Sequence, residues 1–187
     1  GVTPGPATTM VKTLAEAGLA EYEPYVGVAL TPQGERLAGL VLRRHRLVEL
    51  FLVRVMGFGW DEVHDEAEHL EHVVSDRLIE RMDTMLGHPD ADPHGDPIPN
   101  ADGTISPQPQ DTLLTCPLGQ PVTVTRVLDQ NRAFLQFVET NRLKPGETIQ
   151  VDGRDESADS VLVTGTEARR LTIGARAASK LQVRAAG

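Results

Sequence analysis

One cysteine, Cys116, is all the thiol chemistry in this 187-residue chain. It excludes internal disulfides and thiolate metal cages and fits a reducing compartment. No apolar run approaches the roughly 18 residues of a membrane span, and no signal-peptide pattern is visible. The expected location is therefore cytoplasmic, with no membrane partner. No Gly-x-Ser-x-Gly or phosphate loop occurs, and Cys116 has no visible histidine partner, so nucleophilic catalysis has little support. Bases are scarce as well: 18 Lys and Arg against 27 Asp and Glu give a formal charge of −9, which argues against a protein that coats nucleic acid nonspecifically. Residues 1–56 carry six basic and five acidic groups, so the acid lies downstream. Lysine is missing from residues 13 to 143.

Acid and imidazole concentrate in W-D-E-V-H-D-E-A-E-H-L-E-H-V-V-S-D, Trp60 to Asp76, where residues 60–72 hold three histidines and six carboxylates with no Pro or Gly. At about 100° per residue, His64, Glu68, Glu71 and His72 fall within roughly 100° of arc on one helix. Carboxylates on one face repel one another unless a cation lies among them, and no lysines are interleaved to neutralise these. The alternative reading is a solvated acidic face. A second pair, His45 and Glu49, stands four residues apart on the otherwise apolar segment Leu40 to Met56. The short turn Gly57 to Trp60 lets the two helices pack antiparallel and bring the stripes together. Imidazole and carboxylate without thiolate suit Mn(II), Fe(II), Co(II) or Zn(II), with Mn(II) and Fe(II) favoured by the carboxylate excess. A dimetal carboxylate oxidase is the competing enzyme class, but it needs a Glu-x-x-His on each of two helices. Only Glu66 to His69 supplies one, so the expectation is a non-enzyme.

Upstream, Met10, Val11 and Leu14 give helical spacing, with Thr3 as cap, Pro4 and Pro6 at the start and Gly18 at the end. Residues 21–30 read as two short strands around a turn at Pro24 to Gly27. Thr31 then caps the next helix, with Glu35 as its capping-box partner. Helix, hairpin, helix is the back half of a winged helix-turn-helix, with Thr3, Thr8, Thr9 and Lys12 on the reading helix. An ordinary helix and hairpin is the other reading.

These runs, together with R-R-H-R-L-V-E-L-F-L and L-G-H-P-D-A-D-P-H-G-D-P-I-P, closely resemble the diphtheria-toxin-repressor family of metal-dependent transcriptional regulators, most of all its manganese-transport-regulator branch. The resemblance implies primary-site ligands at Glu71 and His72, with Glu68 where the iron-selective branch has cysteine, and an ancillary site at His45, Glu49 and His64. It implies operator contacts at Thr3, Gly5 and Thr9, a homodimer on palindromic double-stranded operator DNA, and Mn(II) as cofactor, with Fe(II) possible and Zn(II) or Co(II) binding in vitro. It also places one further primary ligand, and the front of the DNA reader, upstream of residue 1. A metal-binding and dimerisation module without independent DNA binding is the alternative. His69 and Glu66 lie off the stripe and are expected to face solvent.

Leu78, Ile79, Met82 and Leu86 form an apolar stripe that, with Leu47, Leu50, Phe51, Val55 and Trp60, reads as dimer interface or monomer core. Residues 88–110 are rich in proline and read as a linker or tether, in which His88 and His94 are expected to be inert. From 111 onward, β-rich runs at 121–128, 148–151, 160–164, 170–173 and 181–184, with a helical turn at 132–140, resemble a FeoA-like small barrel. In relatives this barrel lends ligands to the ancillary ion; the matching positions here are Gln130 and Ala133, one altered and one lost, with Asp129 or Glu139 as substitutes. The expected class is α+β: a partial winged helix-turn-helix at 1–38, a helical metal-binding and dimerisation domain at 39–87, the linker at 88–110, and a small all-β, Src-homology-3-like barrel at 111–187. Replacing Glu71 or His72 with Ala is expected to abolish metal-dependent DNA binding, measured as mobility shift against Mn(II) concentration.

Overall fold

The computed structural model describes residues 4–23, 25–105 and 110–186; Thr3 and the turn residue Pro24 lie outside them. Helix α1 (Pro4–Glu16) leads into a hairpin of β1 (Ala20–Glu23) and β2 (Gly27–Leu30), paired antiparallel with Ala20 opposite Leu30. Thr31 caps α2 (Pro32–Arg54) by accepting the Gly34 amide at 3.1 Å, and Pro32 at the first turn forfeits an amide that would have gone unpaired anyway. α2 is one unbroken helix of 23 residues. The boundary expected at residue 38 therefore falls inside a rod: the wing and the metal-bearing segment share it.

The acidic segment forms a shorter helix than its pattern suggested. α3 spans Val63–Glu71, His72 is its C-cap, and a turn separates it from α4 (Asp76–Leu86). Gly87 ends α4 in the left-handed conformation, φ 79°, where a side chain would be strained. Leu47, Val48 and Leu52 of α2, Val63 and Ala67 of α3, and Ile79 and Met82 of α4 close one core. Leu78 and Met85 remain exposed on α4, seven residues apart and so on one face. Trp60 does not join this core. It is buried with Leu113, Val127 and Leu135 of the C-terminal unit, because the turn after α2 projects it across the boundary.

That unit is an antiparallel sheet in the order β3-β8-β4-β5-β6-β7: β3 (Asp111–Thr112), β4 (Pro121–Val127), β5 (Thr148–Asp155), β6 (Ser160–Thr164), β7 (Arg170–Gly174) and β8 (Leu181–Ala185). α5 (Arg132–Thr140) fills one end, capped by Asn131, and a single turn, α6 (Ala175–Ala178), precedes β8. Register shifts at Val124/Arg126 and Val151/Gly153 bend β4 and β5, the usual device for curling a small sheet around its core. Alternation is plain in β6, where Val161 and Val163 point inward.

Residues 88–105 depart from the expected tether. Asp92, His94 and Asp96 are buried, and the segment is wedged between α2 and β4. The Val127 amide donates to the His94 carbonyl at 2.8 Å, while Arg43 and Arg46 on α2 donate to the carbonyls of Pro99 and Pro97. Prolines suit this wedge because their carbonyls still accept although they lack amides. Gly95 has φ +86° and lies so close to the Thr125 carbonyl that a Cβ would overlap it. Gly95→Ala is expected to destabilise the protein by about 1–3 kcal/mol, seen as a loss of roughly 2–4 °C in Tm per kcal/mol.

Candidate metal centre

α2 carries part-buried arginines bonded to neighbouring segments and one pair, His45 and Glu49, one turn apart. Glu49 is 1 % exposed, so its charge must be met by the groups around it. His45 Nε2 lies 3.0 Å from Glu49 Oε1, His64 Nδ1 lies 3.1 Å from the same oxygen, and the two ring nitrogens are 3.1 Å apart. A triangle of this size matches adjacent ligands around an octahedral ion with bonds of about 2.1–2.2 Å. The donor set, two imidazoles and a carboxylate, fits a divalent ion of hard-to-borderline character.

Glu71 joins from α3: its Oε2 is 2.7 Å from His45 Nδ1. His45 thus spans two carboxylates. Burial works against its charged form, but hydrogen bonds and charge from Glu49 and Glu71 outweigh that and raise its pKa. Burial likewise opposes the charge on Glu49, yet His45 first, then His94 and His64, hold its carboxyl below the usual range.

The stripe on α3 is only partly gathered. Glu68 is exposed, with Oε1 4.0 Å from His64 Nε2, and His72 is exposed at the C-cap, its Nε2 3.4 Å from Glu71 Oε1. His72, at the C-cap, still has right-handed helical backbone, φ −81° and ψ −18°. His69 faces out, its Nδ1 2.6 Å from the Asp65 carbonyl of its own helix, and Glu66 is exposed; these two do not meet a second Glu-x-x-His among the described residues. Thr8, Thr9 and Lys12 are exposed on α1, and Gly5 lies in its first turn.

A second gathering went unread in the sequence. Glu49, Asp92 and His94 bring three ligand atoms within 4.8 Å of one another. Asp92 Oδ1 accepts the amides of His94 and Asp96, at 2.8 and 2.9 Å. Burial, then the charges of Asp96 and Glu49, push its carboxyl up to about 7. The one signal was the spacing Asp-x-His-x-Asp inside a proline-rich run, which reads as loop because proline dominates it. His94 is buried, with its Nε2 2.8 Å from the Trp60 carbonyl, and not exposed in a loop.

The barrel contributes to this loop instead of to the His45 group. Asp96 is paired with Arg126, and Gln130 Nε2 donates to Asp96 Oδ2 at 2.8 Å. The suggested substitutes are engaged elsewhere, Asp129 with Lys180 and Glu139 with Lys144, and Ala133 has no donor side chain.

Comparison with known proteins agrees with this architecture. Residues 31–100 match the iron dependent repressor, metal binding and dimerisation domain, and residues 112–185 match the FeoA domain. A manganese-dependent transcriptional repressor in complex with manganese superposes with a TM-score of 0.90 at 40% identity, covering 100% of this chain and 86% of that one. The apo form of the manganese-activated repressor ScaR gives 0.81 at 33%, covering 99% and 87%. The iron-dependent repressor IdeR of Mycobacterium tuberculosis is 41% identical over 102 residues, 51% of this chain and 44% of IdeR. An uncharacterized HTH-type transcriptional regulator of Methanocaldococcus jannaschii is 37% identical over 85 residues, 46% of this chain and 68% of that protein. The chain belongs to the diphtheria-toxin-repressor family of iron- and manganese-dependent transcriptional repressors, a family of regulators and not of enzymes. It spans about half the length of the mycobacterial relatives it matches. No helix among the described residues is long and apolar enough to cross a membrane.

Asp96→Ala is expected to cost on the order of 2 kcal/mol in urea unfolding, below the cost of breaking a fully buried pair because Arg126 is part-exposed.

Proposed function

We propose that this chain is the metal-sensing body of a cytoplasmic, Mn(II)-responsive repressor, also able to use Fe(II), that binds palindromic operator DNA as a homodimer and controls metal-homeostasis genes. The observation that carries the reading is the triangle of donor atoms from His45, Glu49 and His64, with Glu71 attached through His45, in a chain that superposes on a manganese-dependent repressor. His45, Glu49 and His64 serve as one ligand set, and Glu68, Glu71 and His72 as the other. Thr3, Gly5, Thr8, Thr9 and Lys12 on or next to α1 face the operator.

His45 is the joint between the two sets, because one ring nitrogen faces each. Glu49 anchors the joint to α2, and Glu71 carries it to α3. A bound divalent cation supplies the positive charge that allows the carboxylates of α3 to sit together beside α2. Fixing α3 on α2 stiffens the base of the rod that also carries the wing, so ordering at the site is felt at α1. Linkage requires that operator DNA raise metal affinity by the same factor. A coupling of about 1–3 kcal/mol shifts operator occupancy roughly 5- to 150-fold.

The test is titration of Mn(II), and of Fe(II) anaerobically, into labelled promoter DNA from a metal-transporter gene at fixed salt, using the chain and an N-terminally extended form. Metal-dependent binding supports the repressor. Binding by neither form under any metal supports a metal-binding and dimerisation module without independent DNA binding. Glu68→Cys is expected to favour softer ions, raising affinity for Zn(II) relative to Mn(II) by about tenfold, or about 1.4 kcal/mol, read by competition calorimetry.

A further inference from the structure

The run Arg43-Arg44-His45-Arg46 sets three guanidinium groups beside one candidate ligand, and each serves a different segment. Arg43 reaches Asp83 and the Pro99 carbonyl, and Arg46 reaches the Pro97 carbonyl. Arg44 serves the C-terminal end of α3. Its Nε and Nη2 donate to the Glu71 carbonyl at 3.3 and 3.1 Å, Nη2 also donates to the Val74 carbonyl, and Nη1 pairs with Asp76 at the start of α4. The last carbonyls of a helix have no partner within it and carry the negative end of its dipole. A guanidinium, with five donors in one rigid planar fork, can meet two carbonyls and a carboxylate at once.

Glu71 is therefore held twice, by consecutive residues of α2. Arg44 takes its main-chain carbonyl, and His45 Nδ1 lies 2.7 Å from its carboxylate Oε2. Neighbouring helix residues point about 100° apart, so the two grips come from different directions. They also differ in kind. Any ligand that takes the carboxylate oxygen competes with His45, whereas the bond from Arg44 to the carbonyl leaves that oxygen free. His72 follows directly with right-handed helical backbone, φ −81° and ψ −18°, so bonds to the carbonyls of Glu71 and Val74 fix the stretch on which both Glu71 and His72 stand. His64 is in the first turn of α3, seven residues before Glu71 and about 10 Å along the axis.

We infer that Arg44 is a positioning residue for the Glu68, Glu71 and His72 ligand set, holding the end of α3 in place before an ion arrives, while the set of His45, Glu49 and His64 forms without its help. The inference rests on the reading of Glu68, Glu71 and His72 as ligands. Ordering done in advance is ordering that binding need not supply, and partners that orient ligands typically change metal affinity about 10- to 100-fold. A brace that merely stabilised the fold would act on both sets alike.

The test is Mn(II) calorimetry on the full chain with one set disabled at a time. In His64→Ala, which leaves the second set, adding Arg44→Ala is expected to weaken Mn(II) binding about 10- to 100-fold. In Glu68→Ala, which leaves the first set, the same change is expected to have no effect. Arg44→Lys keeps the charge at the helix end without the fork, and is expected to give a smaller loss in the His64→Ala protein alone. Should Arg44→Ala lose its cooperative thermal transition, the comparison is decided with Arg44→Lys. Equal weakening in both proteins, or none in either, overturns the inference and leaves the ligand reading of the previous section standing. Failure of His64→Ala itself to bind Mn(II) overturns the second ligand set and this inference with it.

Discussion

A carboxylate buried on a helix is the constraint around which this protein is arranged. Glu49 can stay ionised at 1 % exposure because the imidazoles of His45 on α2 and His64 on α3 hydrogen-bond to it, with His94 of the 88–98 loop close by. Stripping those partners away would leave an unpaired interior charge, which proteins avoid by several kcal/mol. α3 and the 88–98 loop, both packed next to α2, therefore each send an imidazole toward it. The apolar cores on either side, one around Leu47 and Val63 and one around Val124 and Val151, can be formed from many sequences. The junction between them is specified by this polar cluster.

The same logic explains why a proline-rich run serves as a wedge. A segment lying between a helix and a sheet must satisfy its backbone on both sides. Here α2 offers arginines and the segment offers carbonyls, while β4 offers the Val127 amide and the Arg126 side chain. Prolines at 93, 97 and 99 reduce the number of amides that need partners. Helices, loop and barrel are thereby made into one layered body, with Trp60 of the turn after α2 buried in the barrel core as the apolar contact across the same junction.

Much of this was legible in the residues. Period and caps located α1, the hairpin and α5, and the valine alternation located β6 and β8, because each of those signals is local. That the His45–Glu49 pair faces the stripe of α3 was legible too, from helix periodicity and a short turn, while the family resemblance singled out His64 from that stripe. The end of α3 was not: nothing in W-D-E-V-H-D-E-A-E-H-L-E-H breaks a helix, and the chain turns only after the His72 cap, before Ser75 opens α4. Trp60 was read with the helices, as dimer interface or monomer core, because periodicity says which side is apolar and not which neighbour covers it. His94 was hidden most completely. Its role depends on a contact with Glu49, 45 positions away in the chain, and composition alone marks its surroundings as loop.

α2 has a mechanical meaning beyond its packing. At 1.5 Å per residue its 23 residues make a strut about 35 Å long, with the Thr31 cap and the hairpin at one end and the histidine cluster past its midpoint. The stretch from Glu49 to the Thr31 cap, 18 residues, is about 27 Å of that length, so a tilt of about 5° at the cluster swings the hairpin end by roughly 2 Å. Gly34 and Gly39 lie between the histidines and that end, and each is packed against a neighbouring carbonyl, of Leu19 and of Gly103, which braces the strut at the two points where it has no side chain.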